Sequence, residues 1–407
     1  QRMKRPGSLW GGILLIAGSC IGAGMLGLPI ITGIAGFFPS MLMFFCAWAF
    51  MTLTGLLMVE VNAWFPHQVN MLSMIEKTLG RGGKALCWVT YLFLFYALLV
   101  AYISGSGNLF STFLSGGFGV QIPIWAGSLF FVIFFGGLVL LGTRKVDLWN
   151  RVLMGCKIFF FLSLIWLGVK YIRPTFLLRT NPSTAVFALP ILITSFGFHN
   201  MIPSLFTYMN RDLKKIRLTI IAGSCFAFLV YIIWEILVLG IVPIGGPGGL
   251  IESLKQDREG SQALAMMIRS PWLAFFSQGL AFFAILTSFL AQSLSLVHFL
   301  ADGFKVKKEK KESIALCLLA LIPPLLLSLV YPQLFFKALN FAGGICAVIL
   351  FGILPILMVW VGRYRKELFS PYEIRGGRWF LVFVACFALF IFFFQISVMV
   401  GWTSLPG

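Results

Sequence analysis

The chain has 407 residues, 59% of them hydrophobic and 11% charged, with a mean hydropathy of +0.97 and a formal net charge of +18. Soluble domains carry about 25% charged residues, so these values exclude a soluble globular fold and imply an all-α polytopic membrane protein. The eight cysteines lie in apolar stretches without a CxxC spacing, so free packed thiols are expected, with no disulfide and no metal site.

Eleven apolar segments are long enough to cross a bilayer. They run approximately 10–32, 38–60, 85–115, 122–141, 149–170, 185–208, 217–242, 272–301, 313–331, 335–361 and 378–402. The basic start QRMKRPGS lacks a small-residue cleavage site and reads as a cytoplasmic tail over 1–9. With that end inside, 23 of the 31 Lys and Arg residues fall on the cytoplasmic side, seven fall outside and one, Lys157, falls within a span. The asymmetry follows the positive-inside rule. It accounts for the high charge through topology, so nucleic acid is not needed as a partner, and it puts the C-terminus outside. The longest outer loop, 243–271, opens on PIGGPGG and continues with LIESLKQDREGSQALAMMI, which suits either a short surface helix acting as a lid or a solvated connector.

Two spans read badly as continuous helices. The first, GGILLIAGSCIGAGMLGLP, carries Gly18, Gly22, Gly24 and Gly27 ahead of Pro29. Glycine weakens a helix interior by about 1 kcal/mol relative to alanine, and proline removes an amide donor. Broken backbone survives in hydrocarbon only where it lines a cavity or a ligand. Ser19–Gly24 therefore reads as an unwound hinge or, alternatively, as a small-residue packing face. The sixth span, LPILITSFGFHNMIPSLFTYM, repeats the pattern with Gly197 before Pro203. Two interrupted spans five apart point to an inverted-repeat transporter with its site between the breaks.

Several stretches carry a family resemblance: IAGSCIGAGMLGLPI followed by GFFPS, SFGFHNMIPSL, SFLAQSLSLVHFLADGFK, LLMVEVN, NRVLMGCKI and YPQLFFKALNFAG. Together they resemble the hydroxy and aromatic amino acid permeases, the tyrosine and tryptophan permeases of the amino acid–polyamine–organocation superfamily. Span eight departs from the family pattern at Ala291-Gln292 and Val297-His298. The resemblance implies a five-plus-five inverted repeat (10–171 and 185–362) with helices 1 and 6 broken, plus an eleventh helix at 378–402. It also implies proton-coupled uptake of an aromatic amino acid across a bacterial inner membrane, with no cofactor and no obligate protein partner.

An amino acid brings a carboxylate, an ammonium and a side chain. Backbone amides of Gly22, Ala23 and Gly24 at a half-helix N-terminus suit the carboxylate. Carbonyls freed around Ile16–Ser19 and Ser195–Gly197 suit the ammonium. Phe196, Phe198, Phe341 and Gln292 are candidates for the side-chain wall. Ionisable groups inside spans point to function by default. His199, in the second break, is a pocket donor or a brace for the loop; Glu235 is a proton carrier or a protonated acid in a helix contact. Glu60 and His298, near cytoplasmic ends, read as solvated or capping, and Asp302 reads as solvated. Lys157 either snorkels or, as the resemblance implies, places an ammonium where sodium-coupled relatives hold the ion, near the carbonyls of Gly18 and Ser19. An intramembrane enzyme is disfavoured by the absence of HExxH, P-loop and GxSxG motifs, and a channel by the absence of a filter-like repeat. Sodium-coupled transport of another neutral amino acid stays open.

Overall fold

The computed structural model describes residues 7–66, 70–119, 122–140, 143–268, 270–304 and 310–404. Arg2, Lys4, Arg5, His67, Arg269, Lys305, Lys307 and Lys308 lie outside the described residues. Among the described residues all regular structure is helical. Among the described residues eight helices are long and apolar enough to cross a membrane, and one bent pair makes a ninth. Two shorter apolar helices take the fourth and ninth places expected from the sequence.

The first span consists of α1 (Leu9–Cys20) and α2 (Gly24–Ala35), bent by 60°. Then come α3 (Phe37–Ala63), α4 (Met71–Phe118), α5 (Ile124–Leu140) and α6 (Thr143–Gly168). The sixth span is α7 (Leu189–Ser195) and α8 (Ile202–Tyr208), followed by α9 (Leu213–Ile241). The loop after α9 holds α10 (Leu250–Lys255) and α11 (Gly260–Met267). The chain continues through α12 (Pro271–Phe304), α13 (Lys310–Val330), α14 (Phe335–Tyr364) and α15 (Gly377–Val400).

Local chemistry sets several boundaries. Ser8, Asn70 and Asp212 each accept a backbone N–H at a helix start, at 3.0, 2.8 and 3.1 Å. Gly80 breaks α4 with a positive φ of 80°, so the third span is preceded by a bent helical turn. Within α14 the backbone widens to i→i+5 bonding over Ala342–Ile353, a feature associated with functional sites. In tertiary packing α1 lies on α9, α12 on α6 and α4, and α7 on α14.

The ends of the bundle differ from the sequence expectation in two places. Glu60 is neither solvated nor a cap. It is fully buried and takes a bidentate ion pair from Arg363, with Nε to Oε1 at 2.6 Å and Nη2 to Oε2 at 2.5 Å. Ile374 N–H adds a third bond at 3.1 Å. The pairing spans 303 residues, so no local pattern announces it. Removing one member of such a pair costs about 3–5 kcal/mol. The 243–271 loop is neither one surface helix nor a solvated connector, but two short packed helices. It turns at Asp257, whose φ is +55°, and buries Leu250, Ser253 and 260–264 against the bundle. The Asp257 carboxylate accepts the first amides of α14, Phe335 N at 2.7 Å and Phe336 N at 3.1 Å. Glu259 caps α11 by accepting Ser261 N at 2.6 Å and Gln262 N at 3.1 Å. Burial pushes Asp257 up to about 6 and Glu259 up to about 7, against the lowering effect of those same bonds.

Candidate functional site

Both interrupted spans are broken in the structure. α1 stops at Cys20 and α2 begins at Gly24, with Gly22 N–H folded back onto Cys20 O at 2.8 Å. α7 stops at Ser195, and a short 3-10 turn at His199–Met201 leads into α8. Pro29 does not end the first span; it sits inside α2 and leaves Met25 O without its usual helical donor. Trp234 Nε1 from α9 donates to that carbonyl at 2.9 Å.

The free backbone groups of the breaks are met by side chains from other helices. Tyr231 Oη lies 2.7 Å from both Cys20 O and Ser195 O. A hydroxyl has one proton to donate, so it serves the two carbonyls alternately and ties the breaks to each other. Ser19 Oγ donates to Gly197 O at 3.3 Å. Ala23 N donates to Ser288 Oγ at 2.9 Å. Lys157 Nζ donates to Ile21 O at 2.6 Å. The lysine is thus turned inward onto the first break rather than snorkelling, and its acceptor is Ile21, not Gly18 or Ser19. The side chain is 4% exposed, so the ammonium has left water for a carbonyl dipole.

Between the breaks lies a cavity of about 370 Å³. Ser19, Gly22, Ala23, Gly24, Ser195, Gly197, Gln292 and Lys157 all line it. Five other candidate residues do not. Phe196 is fully buried beside Tyr231, with ring centroids 5.1 Å apart. Phe198 is fully buried against His199 at 4.9 Å, and Phe341 pairs with Phe93 at 6.4 Å. His199 lies between Phe198 and Phe351 and lines a neighbouring cavity. Glu235 is fully buried, and its Oε2 accepts Thr32 Oγ1 at 2.7 Å, joining α9 to α2 away from the cavity wall.

The apolar wall of the cavity includes instead Leu94, Leu98 and Tyr102 from α4 with Phe351 from α14. Sequence reasoning missed these, because nothing distinguishes one of 44 phenylalanines from the rest. A signal did exist for the α12 side. Thr287, Ser288, Ala291, Gln292 and Ser295 recur at helical spacing and form a small, polar stripe on the cavity. The arrangement can serve a zwitterion: an N-terminal helix end at Gly24, the Gly197 carbonyl, hydroxyl groups and an apolar wall. Among the described residues no His/Cys/Asp/Glu cluster has the geometry of a metal site.

A helical bundle with two broken spans around a central polar cavity defines a multi-pass membrane carrier. The chain belongs to the tryptophan/tyrosine permease family, whose model matches residues 5–395; this is a family of permeases, not enzymes. It is 32% identical to the tryptophan-specific transport protein of Haemophilus influenzae, over 98% of each chain. It is 30% identical to tyrosine-specific transport system 1 of the same organism, over 96% of this chain and 97% of that one. In fold it is similar to MhsT crystallised with L-phenylalanine, at a TM-score of 0.62 and 15% identity, over 97% of this chain and 99% of that one.

Proposed function

We propose that the chain imports tyrosine or tryptophan across a bacterial inner membrane by proton symport, through alternating access of the central cavity. The relatives' names, divided between tryptophan and tyrosine, support the substrate class. The charge asymmetry supports an N-terminus in the cytoplasm and a C-terminus in the periplasm. In this reading residues 10–171 and 185–362 are the two inverted repeats and 378–402 is the added helix. The substrate carboxylate meets the α2 N-terminus at Gly24, and its ammonium meets the Gly197 carbonyl. Its ring lies against Phe351, Leu98 and Tyr102, with Gln292 as partner for an indole N–H or a phenol.

The observation that carries the coupling is the bond from Lys157 Nζ to Ile21 O. Protonated, the lysine fastens α6 to the first break; once it gives up its proton it cannot hold that carbonyl as a cation, and the inner side opens. One proton then moves with one substrate. The same bond favours an ammonium over sodium, because Ile21 O and Cys20 O already have donors in Lys157 and Tyr231. Glu235, linking α9 to α2, is a second proton carrier in this scheme. Lys157→Gln tests the reading in proteoliposomes. It should still bind substrate while losing at least tenfold in accumulation driven by an inward proton gradient. A sodium-dependent wild type, or a Lys157→Gln variant that still concentrates substrate, would refute it.

A further inference from the structure

A second cavity of about 420 Å³ lies beside the central one and shares Asn200 and Ser295 with it. Its size is within the range of small-molecule sites, about 300–1,000 Å³. Three rings in mutual contact form one wall: Tyr91 to Phe95 at 5.9 Å, Tyr91 to Phe299 at 5.8 Å and Phe95 to Phe299 at 5.6 Å.

The deep end holds His199, 1% exposed. Thr54 directs its one hydroxyl proton at the helix carbonyls of Phe50 and Met51, 3.0 and 3.2 Å away. With that proton on a carbonyl, its oxygen accepts from His199 Nε2, 3.0 Å away, and Nδ1 is the ring's acceptor. Nδ1 is buried and has no protein partner among the described residues, a costly state unless a donor reaches it. The opposite end is exposed and carries the Asp302 carboxylate. Asp302 follows Ser295 by seven residues on α12, about 10 Å along the axis at 1.5 Å per residue.

We propose that this cavity is a second, weaker binding site for an aromatic amino acid carrying a ring N–H or O–H, occupied by the substrate after it leaves the central cavity. The ring lies on the Tyr91–Phe299 wall, its indole N–H or phenol O–H donates to His199 Nδ1, and the α-ammonium faces Asp302. Tryptophan and tyrosine satisfy all three contacts. Phenylalanine lacks the donor, and an aliphatic amino acid lacks both ring and donor. The inference rests on the aromatic-substrate reading above and adds a site to it.

Equilibrium dialysis of the purified full chain with labelled tryptophan, tyrosine and phenylalanine separates the two. Wild type should show two components for tryptophan and tyrosine, and the second should be at least fivefold weaker for phenylalanine. Asp302→Asn and Phe299→Ala should each weaken the second component at least fivefold and leave the first, whose survival reports an intact fold. Gly24→Val should remove the first and leave the second. One component only in wild type, or a second that ignores both Asp302→Asn and Phe299→Ala, overturns the inner site while the central reading stands. A first component that ignores Gly24→Val breaks the central reading, and the response to Asp302→Asn then judges the inner site separately. No binding of any of the three amino acids overturns both.

Discussion

The two breaks have similar sequences, each a glycine followed by a proline, but they are held in different ways. The first, between Cys20 and Gly24, is held by polar donors: the Lys157 ammonium on Ile21 O and the Tyr231 hydroxyl on Cys20 O. Ser288 Oγ completes the set by accepting the Ala23 amide. The second, from Phe196 to Met201, is held mainly by rings: Phe196 on Tyr231, and Phe198 stacked on His199, which stacks on Phe351. A hydrogen bond from a titratable or rotating donor can be exchanged at small net cost, about 0.5–1.5 kcal/mol. A close-packed aromatic stack has no alternative arrangement of equal energy. On the proposed transport cycle, the first break is the one expected to change state and the second the one expected to stay in place.

The sharpest way to break this comparison is at Gly24. A Cβ there would lie 3.0 Å from Ser195 Oγ, and the valine methyls extend further into the gap between the breaks. Gly24→Val should abolish uptake while the protein still inserts in the membrane. Normal uptake of labelled tyrosine by that variant would mean the breaks do not meet around the substrate.

The next largest effect is expected at Phe198. Truncating a fully buried phenylalanine costs about 3–5 kcal/mol, so Phe198→Ala should lower the thermal midpoint in detergent. Since Phe198 lies outside the cavity, whatever uptake remains should fall equally for tryptophan and alanine. Phe351→Ala is the contrast, removing a ring that lines the cavity and weakening aromatic substrates selectively. A selective loss for Phe198→Ala in competition uptake would place the second break in the specificity wall.

A smaller effect is expected from Tyr231→Phe. It deletes the hydroxyl shared by Cys20 O and Ser195 O and leaves a buried carbonyl short of a donor, at about 1–3 kcal/mol. Uptake should drop about tenfold with modest loss of stability. Unchanged transport would show that the two breaks are not tied through this hydroxyl.

The smallest expected effect is at the 243–271 loop, read as a lid. Burial holds Asp257 up to about 6 and Glu259 up to about 7 in the closed lid, and opening returns both to water and to ordinary carboxylate values near 4. Protons therefore bind the closed lid more tightly than the open one. The advantage of closure is complete below about pH 4 and is lost as pH rises through 6 to 7. Lys337 lies close enough to oppose this at Asp257. A distance label across the lid should report more closure at pH 5 than at pH 8, and Asp257→Asn should shrink that difference. Closure that increases with pH would reverse the sign of the argument.

How far the sequence reached can be traced through particular residues. Each of the eleven apolar segments corresponds to one helix or, for the first and sixth, to a broken pair, and the glycine–proline runs locate both breaks, because hydrophobic length and backbone permissiveness are local properties. On α12 only Gln292 was read from the sequence; the stripe of Thr287, Ser288, Ala291 and Ser295 around it was available at helical spacing but was not read. The rings were not legible. In a soluble helix periodicity separates the buried face from the wet one, but lipid is as apolar as a protein core. Phe198, packed in the interior, Phe351, on the cavity, and Phe393, 61% exposed on the outer surface, therefore look alike in sequence.

The long-range polar partners were hidden for a different reason. Lys157 and Ile21 are 136 residues apart, and Glu60 and Arg363 are 303. The sequence by itself determined that this chain crosses a membrane many times and where its helices must break, because the bilayer acts on each segment separately. Only the tertiary structure decided which donor meets which freed carbonyl and which ring faces the cavity. Inside the bilayer a buried polar group must find its partner from another helix, and helix packing, not sequence distance, brings the two together.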